Sequence, residues 1–388
     1  MPNKTALIQD LRTGMYVSKL DISWFCSPFW RRTFTIEHEE QIERLRRAGV
    51  KSVEIDASRG EDTNAPKDEP TQVVPNSPLA PPTSSKSLVQ LDREFTQVKS
   101  ARRLLEGTVQ SLFTLLEERG TLESQHAEEA AREIAIATRT LPNSVLFMAL
   151  SQDRCGNFSP VEYALSTCTL SLLSGQTFGY NPLELHELAT AALLHAIGLA
   201  QVSPDIIGRC ASTSDSLSDR ERKLLQNHPN NGVLALEQQG GFGKHILQAI
   251  YEHHAFLDGS GYPNGIPGEF ISQRSRIVMV MDRYDELITV IGGATPLTPY
   301  EALQRLYREA QEGMLDQDIL SRFIKLVGVY PVRSTVALNT GERALVTDFN
   351  SSALHLPIIA ITHGPDGNEL PTSVSLHLAQ QPDHLPHR

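Results

Sequence analysis

The sequence predicts a mainly α-helical protein: an all-helical bundle preceded by a small α+β domain and followed by a short β-containing extension. Three observations carry this. Between residues 140 and 315 one helix-start signal follows another. Residues 1–60 alternate short β-rich segments with a helical stretch. Residues 335–347 carry the turn residues Asn339-Thr340-Gly341 between two strand-like runs, which reads as a β-hairpin.

Taken in order, Met15-Tyr16-Val17 and Lys51-Ser52-Val53-Glu54-Ile55 read as strands of a first domain (1–60). The stretch from Glu37 to Ala48 between them reads as a helix stopped at Gly49. Residues 61–87 hold six of the 23 prolines among Ser, Thr, Asp and Glu. Such a composition buries too little apolar surface to offset ordering entropy, so a disordered linker is expected. In the helical connector 88–139, Leu91, Phe95, Val98, Leu105, Val109, Leu112 and Leu116 recur at spacings of four and three, with Arg102 interrupting the stripe. The stripe fits a homodimer coiled coil through residues 91–116, and equally a helix packed on its own domain.

In the bundle, Asn181-Pro182-Leu183-Glu184 places a cap, a proline in the first turn and a carboxylate at the third position. Ser218-Asp219-Arg220-Glu221 and Thr298-Pro299-Tyr300-Glu301 repeat that logic. Gly240-Gly241-Phe242-Gly243-Lys244 follows a helix instead of a strand, so it reads as a C-cap and turn and not as a phosphate loop. Residues 316–379 are read as a C-terminal helix and β-hairpin extension, and 380–388 as a frayed tail.

Lys and Arg total 35 against 46 Asp and Glu, a formal charge of −11. That argues against binding a nucleic-acid polymer, which needs cationic surface to displace counterions. No apolar h-region opens the chain and no run approaches 18 apolar residues, so neither a secretory signal nor a membrane span is expected. Cys26, Cys155, Cys168 and Cys210 show no CxxC spacing and read as buried thiols of a reducing compartment. The expected location is cytoplasmic.

The histidines point to chemistry. His186, His195, His228, His245, His253 and His254 fall within 69 residues of predicted helix. His195 is placed at the end of the helix opened at Asn181, His228 at the end of the next, where Pro229 stops or kinks it, and the pair His253-His254 at the end of the following one, with Asp282 after them. Histidines delivered by several helices are what a metal site inside a bundle needs, and neutral imidazoles suit iron, zinc, nickel or manganese. His186 and His245 read as ordinary surface residues.

His253-His254-Ala255-Phe256-Leu257-Asp258-Gly259-Ser260-Gly261-Tyr262-Pro263 closely resembles the HHExxDGxGYP signature of the HD-GYP family. These are HD-domain phosphohydrolases that cleave the bacterial second messenger cyclic di-GMP. Leu193-Leu194-His195-Ala196-Ile197-Gly198-Leu199 is similar to the family's LLHDIGK. Asn227-His228-Pro229-Asn230-Asn231-Gly232 is similar to its HPxxG element, and Asp282-Arg283-Tyr284-Asp285-Glu286-Leu287 to its DxYDAL. Leu11 to Val17 resembles the domain of unknown function that often precedes HD-GYP, and Gly328-Val329-Tyr330-Pro331-Val332 the GVYPVG that follows it. The resemblance implies metal ligands at His195, His228, His253, His254 and Asp282. It also implies cyclic di-GMP as ligand and docking of GGDEF-domain proteins on the loop of Asp258, Gly259, Gly261, Tyr262 and Pro263. That loop reads as well as a simple rim of the metal pocket.

Departures from the family bear on catalysis. Tyr163 stands at the first metal histidine, Ala196 at the HD aspartate, Leu199 at the substrate lysine and Ala255 at the glutamate after the histidine pair. The basic residues of the family's RPYR segment are missing between Val290 and Pro299. In the family the aspartate bridges two metal ions about 3.5–4 Å apart. The resemblance therefore implies a degenerate member with impaired phosphodiesterase activity, acting as a regulatory, interaction or nucleotide-sensing module. A single divalent metal on His228, His253 and His254 is retained as an expectation. The alternative is an active phosphodiesterase working from a reduced metal site.

Overall fold

A computed structural model describes residues 4–20, 33–47, 50–60, 88–120, 122–140, 149, 159–212, 217–289, 295–350, 353–381 and 386–387. The linker expected over 61–87 lies outside them, as does Gly49. The chain divides into two compact units, Met1–Ser85 with Asn350–Leu356, and Lys86–Phe349 with Pro357–Arg388.

The first unit is a four-stranded antiparallel sheet in the order β1-β4-β2-β3, formed by β1 (Lys4–Leu7), β2 (Tyr16–Leu20), β3 (Phe34–Thr35) and β4 (Ser52–Ile55), with helix α1 (Glu39–Arg47). Met15, Val17, Ile36, Leu45, Val53 and Ile55 form its core. Alternation in β4, where Val53 and Ile55 are buried and Ser52 and Glu54 partly exposed, puts one face inward. β1 and β3 were not legible in the sequence, being four and two residues long.

The second unit is built on α2 (Leu88–Arg119), α3 (Ser124–Thr140), α4 (Pro160–Thr177), α5 (Pro182–Leu194), α6 (Pro204–Ser212), α7 (Asp219–Gln226), α8 (His228–Gln239), α9 (Lys244–Glu252), α10 (Gln273–Ile288), α11 (Pro299–Gln311) and α12 (Gln317–Val327). The capping boxes expected at Asn181, Ser218 and Thr298 all form. Gly240 ends α8 with φ +76°, as its cap reading requires. α4 is buried along most of its length and packs on α5 and α10, so it runs through the centre of the bundle. Pro182–Gln201 is long and apolar enough to cross a membrane, yet 67% of its 18-residue apolar window is buried within the bundle.

The residues expected to connect domains belong to the bundle instead. α2 packs on α3 and α4, and Val109, Leu112, Phe113 and Leu116 are buried there. Arg102, which interrupts the stripe, is 8% exposed; it pairs with Glu106 at 2.8 Å and donates to Ser166 of α4 at 3.3 Å. The C-terminal half of the stripe is thus occupied within one chain. The side chains of Leu91, Phe95 and Val98 lie outside the described residues.

The C-terminal extension is larger than one hairpin. β5 (Thr335–Leu338) and β6 (Arg343–Asp348) form the expected hairpin. β7 (Ile358–His363) and β8 (Glu369–His377) extend it into a five-stranded sheet, β8-β7-β6-β5-β9. β9 (Pro386–His387), in the segment expected to fray, pairs with Ala337 and Leu338.

Candidate metal centre

Five motif residues converge on one buried point. His195 caps the C-terminus of α5, His253 that of α9, His254 follows it, and Asp282 projects from α10. His228 was expected at the end of a helix before a stopping proline. It instead opens α8, with Pro229 in the first turn, where the missing N–H has no intrahelical partner to lose. All five are buried, with exposures from 0% for His195 and His253 to 6% for His254. His186 and His245 stand apart as expected, His245 exposed and His186 half-buried.

Glycines in the motifs explain how the elements come so close. A Cβ on Gly198, in the short turn Ile197–Gln201 after His195, would lie 2.0 Å from the carbonyl oxygen of His228 and 2.7 Å from the nitrogen of Gly232. Only a residue without a side chain lets that turn sit on α8. Gly261 has φ +82°, and a Cβ there would lie 2.1 Å from the carbonyl oxygen of His254. The loop is clamped by Tyr262 N–H donating to that same oxygen at 3.0 Å. Glu252, which the motif reading did not single out, fastens α9 to α10. It accepts from Ser275 Oγ at 2.6 Å and from the Ser272 N–H at 3.3 Å.

The imidazoles are oriented for ligation. Nδ1–H of His195, His228 and His253 donates to the carbonyl three residues earlier, at 2.7, 2.8 and 2.7 Å. Each ring therefore presents an Nε2 lone pair to the interior. Burial holds His228, His253 and His254 neutral. His228 is pushed down to about 3 and His254 to about 4, while His253 lies well below its usual range. His254 adds charge repulsion to the first and last of these effects.

Does this set fit a cation? Nε2 of His228 and Nε2 of His253 stand 3.1 Å apart. Two lone pairs facing at that distance repel unless a positive centre lies between them. Two nitrogens about 2.1 Å from one ion are roughly 3.0–3.4 Å apart, which matches. The ligand atoms of His228, His253 and His254 all lie within 4.8 Å of one another. His195 Nε2 is buried without a hydrogen-bond partner, 3.1 Å from Asp282 Oδ1. Three imidazoles on one point fit a divalent transition metal.

Around Asp282 the arrangement differs. Tyr163 of α4 donates its hydroxyl to Asp282 Oδ1, and His254 Nδ1 lies 3.5 Å from Oδ2. Burial alone would raise Asp282, but His254 and His195 outweigh it and hold the carboxylate low. Burial raises the Tyr163 phenol well above its usual range, so the group stays a neutral donor. Tyr163, Ala196 and Leu199 belong to one buried apolar cluster with Val202, against which Ile206, Ile207 and Leu225 pack. Three of the departures, spread over 37 residues of sequence, form a single wall.

Glu286 escaped the sequence reading. It lies with His254 and Asp282 within 4.8 Å, and burial and the Asp282 charge push it up to about 7. Its signal was available: it stands where DxYDAL has alanine, one helical turn after Asp282. Arg283 donates to it at 2.9 Å and pairs with Glu309 at 2.8 Å.

In the signature loop, Asp258 Oδ1 accepts from the Ser260 N–H at 2.9 Å and from Ser260 Oγ at 2.6 Å, and Gly259 takes φ +82°. The Tyr262 ring lies 4.5 Å from that of His254 and 6.2 Å from that of His228. Tyr262 and Pro263 thus border the histidines.

Comparison with known proteins agrees with this geometry. Residues 157–319 match the HD domain family, and residues 3–130 match a domain of unknown function, DUF3391. The chain is 29% identical over 357 residues to the cyclic di-GMP phosphodiesterase PA4108 of Pseudomonas aeruginosa, covering 91% of this chain and 84% of that protein. It is 24% identical over 197 residues to the cyclic di-GMP phosphodiesterase PdeB of Borreliella burgdorferi, covering 51% of this chain and 50% of that one. Among solved structures, Bd1817, an HD-GYP-type protein from Bdellovibrio bacteriovorus, aligns over 83% of this chain and 98% of its own at 16% identity and a TM-score of 0.46. The chain thus carries an HD domain over residues 157–319 and a DUF3391 domain over residues 3–130.

Proposed function

We propose that this protein is a cation-holding HD-GYP module that binds a cyclic dinucleotide and is impaired in hydrolysing it. It would act as a sensor or interaction partner in cyclic di-GMP signalling. The carrying observation is the apolar wall of Tyr163, Ala196 and Leu199 beside His195 and Asp282. Phosphodiester cleavage of the family type needs a carboxylate bridging two ions and a cation on the substrate phosphate. Methyl and isobutyl groups supply neither, and Tyr163 engages Asp282, the carboxylate that the DxYDAL-like element provides.

His228, His253 and His254 would hold the ion, which supplies Lewis acidity when bound. The backbone carbonyls of Leu225 and Ile250 fix the tautomers of His228 and His253. Iron, manganese, zinc and nickel all suit this donor set. The Asp258–Pro263 loop would dock GGDEF-domain partners, and residues 91–116 would carry any homodimer contact. A cytoplasmic location follows from this role.

The test is incubation of purified protein with cyclic di-GMP and manganese or ferrous iron, beside the triple variant Tyr163→His, Ala196→Asp, Leu199→Lys. Little linear pGpG or GMP from the wild type, with a rise of 100-fold or more in the variant, is expected. Turnover by the wild type at ordinary enzyme rates would favour the second reading, an active phosphodiesterase on a reduced site. That reading draws support from the near full-length similarity to the Pseudomonas aeruginosa phosphodiesterase.

A further inference from the structure

Beside the histidine cage, the corner between α7 and α8 and the signature loop line an open cleft of about 560 Å³. Its walls are polar. Lys223 and Gln226 come from α7, Asn227 from the corner, Asn230 from α8, and Tyr262 and Asn264 from the loop. The cleft shares a wall with the metal centre: Asn227 precedes His228, and the Tyr262 ring borders both His254 and His228.

Three features select a ligand. The Lys223 side chain is exposed and its ammonium makes no ion pair or hydrogen bond among the described residues, so its charge is available for an anion. The four side-chain amides each offer both a donor and an acceptor, which suits the mixed edge of a purine. Asn227 spends one donor on Asn231 at 2.7 Å and keeps its carbonyl oxygen. Tyr262 adds an aromatic surface of the kind on which bases stack. The volume suits a nucleotide-sized ligand.

On the wall of Tyr163, Ala196 and Leu199 no such charge stands among the described residues, and Arg283, near His254, is paired with Glu286 and Glu309. Leu199 is part of the apolar wall, and in a chain of formal charge −11 an anion needs a local cation. We propose that this cleft seats one purine nucleotide of a cyclic dinucleotide, with Lys223 as its phosphate contact. The phosphate anchor has moved from the interior position of Leu199 to the rim. This inference rests on the nucleotide-binding reading above and gives it a location.

Calorimetry with cyclic di-GMP on the full-length, metal-loaded protein tests it, at low and high salt. Lys223→Met should weaken binding about tenfold or more and flatten its salt dependence, because one cation–phosphate contact is removed. Lys223→Arg should retain binding within about threefold. Metal content, measured in parallel, should be equal in all three. Equal affinity and equal salt dependence in wild type and Lys223→Met would overturn the proposal while leaving the nucleotide-binding reading intact. Loss of metal in Lys223→Met would overturn it too, since the lysine would then act through the cage. No binding by the wild type would refute the nucleotide-binding reading itself.

Discussion

Gly198→Ala isolates the contact on which the metal centre depends. The added Cβ would meet the carbonyl oxygen of His228 at 2.0 Å, its carbonyl carbon at 2.9 Å and the nitrogen of Gly232 at 2.7 Å. All three atoms are backbone, so no side chain can swing away. Reaching even 3.0 Å from the oxygen requires the turn and α8 to separate by about 1 Å, and overpacking of this sort costs roughly 1–3 kcal/mol. The separation falls directly on the ligand set. His195 lies three residues before Gly198, and His228 is the residue struck. A shift of that size opens the 3.1 Å spacing between Nε2 of His228 and Nε2 of His253. Disturbing the support of metal ligands typically weakens affinity 10- to 100-fold. The assay is chelator competition for zinc or manganese, paired with urea denaturation of the metal-free protein. Gly208→Ala is the control: a Cβ there meets nothing within 4 Å, and alanine gains about 1 kcal/mol or less in a helix. If Gly198→Ala binds metal as tightly as wild type and unfolds at the same urea concentration, the close-approach argument is wrong.

Two further outcomes follow from packing and charge. Leu112→Ala should destabilise the helical unit by about 2–5 kcal/mol, because Leu112 is 2% exposed within one chain. The loss in urea midpoint should not depend on protein concentration, and a concentration-dependent loss would assign the stripe to a dimer instead. In metal-free protein, His228 and His254 hold protons only below about 3 and 4, against an ordinary 6.5. Between those limits the unfolded chain binds protons that the folded chain refuses, so their stabilisation is complete above pH 6.5 and is lost as pH falls. Glu286, raised from 4.5 to about 7, opposes this between those two values by taking a proton in the folded state. Asp282, held below its usual range, adds to the loss only below about pH 4. His253 shifts in the same direction as the other histidines, so the net sign is a loss of stability on acidification, about 1.4 kcal/mol per pH unit per net proton. Urea midpoints at pH 7.5 and 5 in chelator should show it, and an unchanged or higher midpoint at pH 5 would contradict it.

Much of this protein was legible in the order of its residues. Helix starts at Asn181, Ser218 and Thr298 are local chemistry: each cap and its partner lie three residues apart, so reading along the chain finds them. The clustered histidines were legible for the same reason, since each of their motifs is a contiguous run. What the sequence could not decide was contact between distant residues. Arg102 looked like a flaw in an apolar stripe, and only the neighbouring helix shows that it bonds Ser166, 64 positions away. His228 was placed at the wrong end of a helix because proline both ends helices and begins them, and which it does depends on the turn that Gly198 brings against it. The added strands β7 and β8 gain their stability from partners across the sheet, not from their own residues. Tyr163, Ala196 and Leu199 read singly as three separate losses. Folding brings them together as one apolar surface beside Asp282. Sequence determined which groups are present and which are missing, because identity is local. Tertiary structure alone decided that the replacements form one wall, because burial against a common neighbour is a property of distance in space.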